Sequence, residues 1–248
     1  MAAGPRAGAA PAWDRAADVP GDRLRRILAE LSDGESMWPA ARLCAVGPQL
    51  TGMKGAGVML MSDDVPRGSL CSSDEVSQLI EELQYTLGEG PCVDAYRRDT
   101  IVSEPDLADP QTPRWFAFTP PVLDAGVRAV FGFPLRVGTV RLGALDLYRD
   151  RPGDLSSDQH ADALVLADLT ARWVLDAQAG APSGVVAEQL EAGADFHFAV
   201  HNAAGIVSVQ EGISVTDALI RLRAFAYSHD RLLDDVAQDV IARRLRLG

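Results

Sequence analysis

Six arginines crowd the last thirty residues of an otherwise acidic chain: Arg221, Arg223, Arg231, Arg243, Arg244 and Arg246, against a formal net charge of −12. A guanidinium held on a rigid helix pairs with phosphate, and a planar ring beside it stacks an unpaired base. Together these are what a folded single-stranded loop requires. Ile220, Arg223 and Tyr227 follow helical spacing beside the apolar stripe of their segment, and Arg231 opens the next segment across the turn "SHD". The same residues also admit a structural reading. Arg221 follows Asp217 by four and Arg243 follows Asp239 by four, the orientation that favours an intrahelical ion pair. Arg243, Arg244 and Arg246 fall in the expected last turn of a helix, where cations complement the macrodipole. Arg244 sits on the apolar stripe itself, where its stem can snorkel.

Other residue types with chemistry are few. Cys44, Cys71 and Cys92 are odd in number and widely spaced, without a CxxC or zinc pattern, and read as reduced thiols. Cys92 opens a short helix. There it either has a lowered pKa and senses oxidants or, the preferred reading, is buried and inert. The loop "LGEGPC" (87–92) either cradles an anion on its backbone N–H groups or, again preferred, is a tight structural turn. It lacks the GxxxxGK[ST] pattern of nucleotide hydrolysis. His160, His197, His201 and His229 show no metal spacing, and His197 and His201 lack a third ligand. Asp124 and Arg128 read as a surface pair. There is no nucleophile elbow or Ser/His/Asp order, so no enzyme, no metal and no cofactor are expected.

These residues need elements to hold them. Residues 1–21 are small and Pro/Gly-rich, read as a disordered lead-in and not a signal peptide. No window reaches the ~18 continuous apolar residues of a membrane span. Leu24, Ile27, Leu28 and Leu31 predict a helix, and "MWPAARLCAVGPQL" (37–50) a second. "GAGVMLM" (55–61) reads as a buried strand paired with "GSLCSS" (68–73). Val76, Leu79, Ile80 and Leu83 mark one face of a helix over 74–85. A short helix follows "LGEGP", then a strand "TIVSE". Residues 112–126 are predicted helical, broken by Pro120 and Pro121. Two strand runs meet at Gly138-Thr139, which fits a type II′ hairpin, and a helix runs from Leu155 to about Gln178.

Beyond the linker "AGAPSG" (179–184) the pattern is entirely helical. A long helix is predicted over 185–210, including Val200, Ala203 and Val207. A second starts at the N-cap Ser214, with Asp217 as a capping-box partner, and carries Ala218, Leu219, Leu222 and Ala226. A third starts at Asp230 and carries Leu233, Val236, Ala237, Val240, Ile241 and Leu245 at helical spacing. The expected fold class is α+β: an antiparallel sheet domain with flanking helices, then an all-α three-helix domain. The charge of −12 argues against general affinity for duplex DNA but leaves a local basic face open.

The pieces "AAG" (203–205), "GISVTDA" (212–218), "LR" (222–223), "RLLDDVA" (231–237) and "VI" (240–241) resemble the ANTAR domain, a three-helix RNA-binding module. The family often carries Lys or Gln between that Ala and Gly; Ala204 here removes that polar side chain from any RNA contact. "LGEGPCVDA" (87–95) and "DAGVRAVFGFPLRVGTVRLGALDLYRD" (124–150) resemble the GAF fold, a small-molecule sensor. Together they look like the GAF–ANTAR antitermination regulators of actinobacteria. The resemblance implies a lead-in (1–21), a sensor domain (22–178), the linker (179–184) and an RNA-binding domain (185–248). It implies RNA stem-loops as partner, held first by Arg223 and Arg231, then Tyr227, with Arg221, Arg243, Arg244 and Arg246 as further contacts. It also implies a small-molecule ligand. The long helices 155–178 and 185–210 are candidate elements of a homodimer, or pack back onto their own sheet; reduced thiols point to a cytoplasmic location, and the apolar windows to no membrane. Two alternatives stand beside it. One is a small-molecule-binding or thiol-redox protein with a dimerising helical tail; the other is a helix-turn-helix DNA-binding regulator that uses the turn "YSHDR".

Overall fold

The computed structural model describes residues 20–32, 39–62, 65–109, 114–180, 198–229 and 231–247. Two helices come first, α1 (Pro20–Ser32) and α2 (Pro39–Thr51), then the hairpin β1 (Gly55–Ser62) and β2 (Val65–Ser72). Helices α3 (Glu75–Leu87) and α4 (Pro91–Arg98), strand β3 (Val102–Glu104) and the short α5 (Thr119–Asp124) follow. A second hairpin, β4 (Ala129–Val137) and β5 (Val140–Arg149), leads into the long α6 (Ser157–Gly180). Three helices end the chain: α7 (Phe198–Glu211), α8 (Val215–Ser228) and α9 (Leu233–Ile241).

The strands form one sheet in the order β2-β1-β5-β4-β3, with every neighbouring pair antiparallel. Successive strand side chains point to opposite faces, and both faces are covered. Val58, Leu60, Phe131, Phe133, Leu145 and Leu147 share a core with Leu43, Leu166 and Ala167 of α2 and α6. Met59, Met61, Val130, Ala144 and Tyr148 share the other with Ile80, Tyr85, Val93 and Tyr96 of α3 and α4. Double coverage explains why β4 and β5 read as nearly unbroken apolar runs. Each fully buried Phe or Leu there contributes roughly 1.5–3 kcal/mol. Gly138 at φ 60°, followed by a residue with negative φ, makes the expected hairpin turn.

The C-terminal helices are not a detached tail. Val200, Ala203, Ala204 and Val207 of α7, Leu219 and Leu222 of α8, and Val236 and Val240 of α9 are buried in the same continuous core as α3 and its sheet face. Ser214 caps α8 as expected. Its hydroxyl oxygen accepts from the Asp217 N–H at 3.0 Å while the hydroxyl donates to the Asp217 carboxylate at 2.7 Å.

Several expectations need correction. Cys44 and Cys71 form a disulfide, with Cα atoms 6.0 Å apart, because α2 packs over the β1–β2 hairpin; only Cys92 is a free thiol. Residues 114–126 do not form a helix broken at Pro120 and Pro121: Trp115 takes a left-handed φ of 53°, and the helix runs only over Thr119–Asp124, with both prolines in its first turn. Arg128 pairs with Asp106 rather than Asp124, at 2.9 Å. The third tail helix stops at Ile241, and Arg243 turns into the left-handed region at φ 58°. Arg243, Arg244 and Arg246 therefore lie beyond the helix, not in its last turn. Leu232 holds the N-cap position of that helix without a side-chain hydrogen bond; Asp230, the linker past residue 180, the lead-in through residue 19, His197 and the first part of the long helix at 185–197 lie outside the described residues. Among the described residues no single helix is long and apolar enough to cross a membrane.

Candidate functional site

The inward face of α3 differs from the sequence expectation by a rotation. Ser77, Ile80, Glu81, Gln84 and Tyr85 are its buried residues, whereas Val76, Leu83 and Leu87 are only partly buried. Glu81 and Gln84 therefore enter the core. On β5, Asp146 lies between Ala144 and Tyr148 on the same face, and it is 4% exposed.

Two glycines create the space. Asp146 pairs across the sheet with Gly57 on one side and Gly132 on the other. A Cβ at Gly57 would lie 2.3 Å from Glu81 Oε1, and one at Gly132 would lie 2.5 Å from the Pro91 carbonyl oxygen. Helix α3 thus lowers Glu81 over one glycine, and the N-terminus of α4 settles over the other. Cys92, the second residue of α4, completes the cluster. Gln84 ties it together: its amide nitrogen donates to Asp146, and its amide oxygen accepts from the Cys92 N–H at 2.7 Å.

The electrostatics follow from burial. Glu81 is pushed well above the ordinary carboxylate range, first by desolvation and then by the Asp146 charge. The Ser69 hydroxyl offsets this in part, although the hydrogen bond it donates goes to the Cys71 carbonyl at 3.3 Å. Desolvation also raises Asp146, against the lowering effect of hydrogen bonds from Cys92 and Gln84. The Cys92 thiol goes up, by burial first and then by the two carboxylates. This overturns the low-pKa reading of Cys92 and agrees with a buried thiol. Both oxygens of Glu81 and Oδ1 of Asp146 have no hydrogen-bond partner. One donor atom each from Glu81, Cys92 and Asp146 lies within 4.8 Å of the others. No sequence spacing marks this set, since its members come from α3, α4 and β5.

The loop "LGEGPC" acts as a structural turn. Gly88, at φ 67°, is the left-handed C-cap of α3. The Glu89 carboxylate accepts from the N–H groups of Ala117 and Phe118 at 2.8 and 2.9 Å, which anchors the loop to the start of α5.

The tail arginines divide into two groups. Arg223 does not stand on an outer ridge with Tyr227. Its guanidinium lies over the Tyr85 ring, 5.7 Å from the centroid, and its Nε and Nη2 are buried without a hydrogen-bond partner. Burial is the first cause that lowers its pKa. Tyr85 also meets the His201 ring of α7 edge-on at 6.2 Å. A cleft of about 340 Å³ opens beside this joint, lined by Gly88, Glu89, Arg97, Arg223 and the 68%-exposed Tyr227. Arg231 pairs with Asp239 at 2.7 Å, and Arg244 takes the other oxygen of Asp239 at 2.7 Å. The Arg243–Asp239 pair expected from spacing is replaced by these two. Arg221 reaches Glu211 at 3.3 Å rather than Asp217.

Arg243 and Arg246 have no ion pair among the described residues. They flank a groove of about 850 Å³ between α7 and the chain beyond α9, with Asn202, Gln210, Ile241 and the 85%-exposed Val209. Helical spacing could not bring out this pair, because the reversal at Arg243 is what carries them back to α7.

Comparison with known proteins places this architecture. The profile of the GAF domain family matches residues 40–172. The GAF domain of a phosphoenolpyruvate-protein phosphotransferase from Coxiella burnetii has the same fold, with 15% identity, a TM-score of 0.51, and coverage of 64% of this chain and 95% of that one. The equivalent GAF domain from Acinetobacter gives 16% identity, a TM-score of 0.45 and coverage of 64% and 95%. The GAF domain of a two-component sensor histidine kinase from Bacillus halodurans gives 13%, 0.40, and 54% and 90%. A search of curated proteins found no match. With more than half of its length matched by that profile, and with the five-stranded sheet and flanking helices in place, the chain belongs to the GAF domain family.

Proposed function

We propose that this protein is a signal-responsive regulator that binds RNA stem-loops through its C-terminal helices and promotes transcription antitermination. In this reading the GAF domain takes a small ligand, and the protein catalyses no reaction. It acts in the cytoplasm, as a homodimer. One observation carries the RNA half: a groove bordered by two arginines that have no acidic partner among the described residues, beside two amide side chains. Arg223 and Arg231, the first choices on sequence grounds, are turned to internal partners. The proposed RNA contact therefore moves to Arg243 and Arg246, with Asn202 and Gln210 as hydrogen-bonding neighbours.

The joint at Tyr85 supplies the route between the halves. Gln84 grips the interior cluster, and the adjacent Tyr85 is gripped by α7 and α8. A ligand that shifts α3 thereby shifts the helices that form the groove. Differential affinity of a few kcal/mol for two arrangements is enough to switch such an equilibrium.

The test is filter binding of the full chain to a two-hairpin RNA and to duplex DNA of equal length. The RNA is expected to bind more tightly. Neutralising two phosphates gives a log–log salt slope of about −1.4 to −1.8. An Arg243→Ala, Arg246→Ala double variant should lose most of the affinity and nearly all of that slope. Equal binding of DNA, or full affinity in the double variant, would overturn the reading.

A further inference from the structure

We infer that Glu81, Cys92 and Asp146 form a buried site for one divalent cation of borderline softness, of the Zn²⁺ or Fe²⁺ kind. The inference deepens the sensor half of the function proposed above. It rests on that reading only for its consequence, not for binding itself.

Three donors from three separate elements converge within 4.8 Å of one another. Convergence alone would not suffice, since buried acids can be held by hydrogen bonds. Here they are held at one oxygen of Asp146, which accepts from Gln84, and not at Glu81: that residue is 2% exposed, yet among the described residues neither of its carboxylate oxygens has a hydrogen-bond partner, and Oδ1 of Asp146 has none either. Buried polar atoms are almost always paired, so such a group calls for an explanation, and an ion is one. Burial also disfavours charged carboxylates without a counter-ion, and a dication supplies the missing charge.

The donor set selects the metal. Two carboxylates joined by a soft thiolate do not suit Mg²⁺ or Ca²⁺, which take oxygen ligands alone. They suit Zn²⁺ and related ions and leave a fourth position for water or a ligand. Gln84 has the place of an outer-shell residue. It holds Asp146 by one end and the Cys92 backbone by the other, which aims both donors. Gly57 and Gly132 keep the space clear. The ligands bind metal deprotonated, so affinity should rise with pH.

The experiment uses the full chain with its Cys44–Cys71 disulfide intact, so that Cys92 is the one free thiol. Because the cluster is sealed, Zn²⁺ or Co²⁺ is supplied both by direct addition and during refolding after chelator treatment. One equivalent should be retained after gel filtration. Co²⁺ should give a thiolate-to-metal charge-transfer band that vanishes in Cys92→Ser. Asp146→Asn and Glu81→Gln should each weaken Zn²⁺ binding at least tenfold. If either variant fails to fold, the native chain still decides: Zn²⁺ should raise its melting temperature in proportion to the logarithm of free metal. The absence of a saturable equivalent by both routes, or a Co²⁺ band that survives Cys92→Ser, would refute the site. RNA binding is measured separately, so a protein that takes up no metal by either route yet binds RNA would sink this inference and leave the regulator reading intact.

Discussion

Arg223 of α8 lies over the ring of Tyr85 of α3, 5.7 Å from its centroid, with two of its nitrogens buried and unpaired. One cation–π contact therefore bridges the GAF domain and the C-terminal helices. Such a contact is worth about 2 kcal/mol when desolvated, but an unpaired buried guanidinium costs about as much. Replacing the charge by an apolar side chain of similar length should be neutral or stabilising. Arg223→Met is expected to keep or raise the urea midpoint and to leave RNA affinity within about twofold. A large loss of RNA affinity at unchanged stability would return Arg223 to the RNA surface.

Asp239 pairs with two cations, Arg231 and Arg244. Hydrogen bonds from Arg231 first, then Arg244, hold its carboxyl below the ordinary carboxylate range. Its folded pKa is lower than its unfolded one, so its contribution to stability is complete above the unfolded carboxylate pKa. That contribution is lost as pH falls through the folded value. Asp239→Asn should flatten the acid limb of the stability profile below about pH 4. It should also release Arg231 and Arg244, steepening the RNA salt slope by about 0.7–1.4. An unchanged slope would show that the freed arginines do not reach phosphate.

The disulfide between Cys44 and Cys71 closes a loop with a sequence separation of 27. Chain-entropy reasoning gives it about 3.5 kcal/mol of stabilisation. Cys44→Ser, or prior reduction, should lower the unfolding free energy by up to about that amount in urea. Metal retention at Cys92, on the other face of the sheet, should be unaffected.

Gly57 and Gly132 make different demands. A Cβ at Gly57 meets the end of a side chain, Glu81, which can swing aside; a Cβ at Gly132 meets the Pro91 backbone 2.5 Å away, which cannot. Gly132→Ala should destabilise by roughly 1–3 kcal/mol, and Gly57→Ala by less. Gly57→Ala should instead weaken metal retention through Glu81. Equal stability losses would mean that α4 adjusts as readily as a side chain.

Most of the fold was legible because periodicity reports burial. The hairpin at Gly138-Thr139, the doubly buried strands, the capped α8 and the apolar stripe of α9 all follow from spacing that one chain segment carries by itself. The resemblance to GAF domains rested on residues 87–95 and 124–150, and the profile match over residues 40–172 agrees with it. Misreadings arose where neighbours elsewhere in the chain decided the outcome. Val76, Leu79, Ile80 and Leu83 mark one face of α3 by spacing, yet the sheet below it offers glycines and Asp146, so Glu81 and Gln84 turn inward beside Ile80.

The sequence by itself determined most of the elements, their order and most of the apolar faces, since these depend on interactions within a few residues. Only the tertiary structure decided which polar groups meet. Cys44 reached Cys71, Glu81 and Cys92 reached Asp146, and Arg223 reached Tyr85, each across many residues. The physical reason is that a charge or a thiol takes its character from what surrounds it once water is excluded. That surrounding is assembled by packing, for which local spacing carries no code.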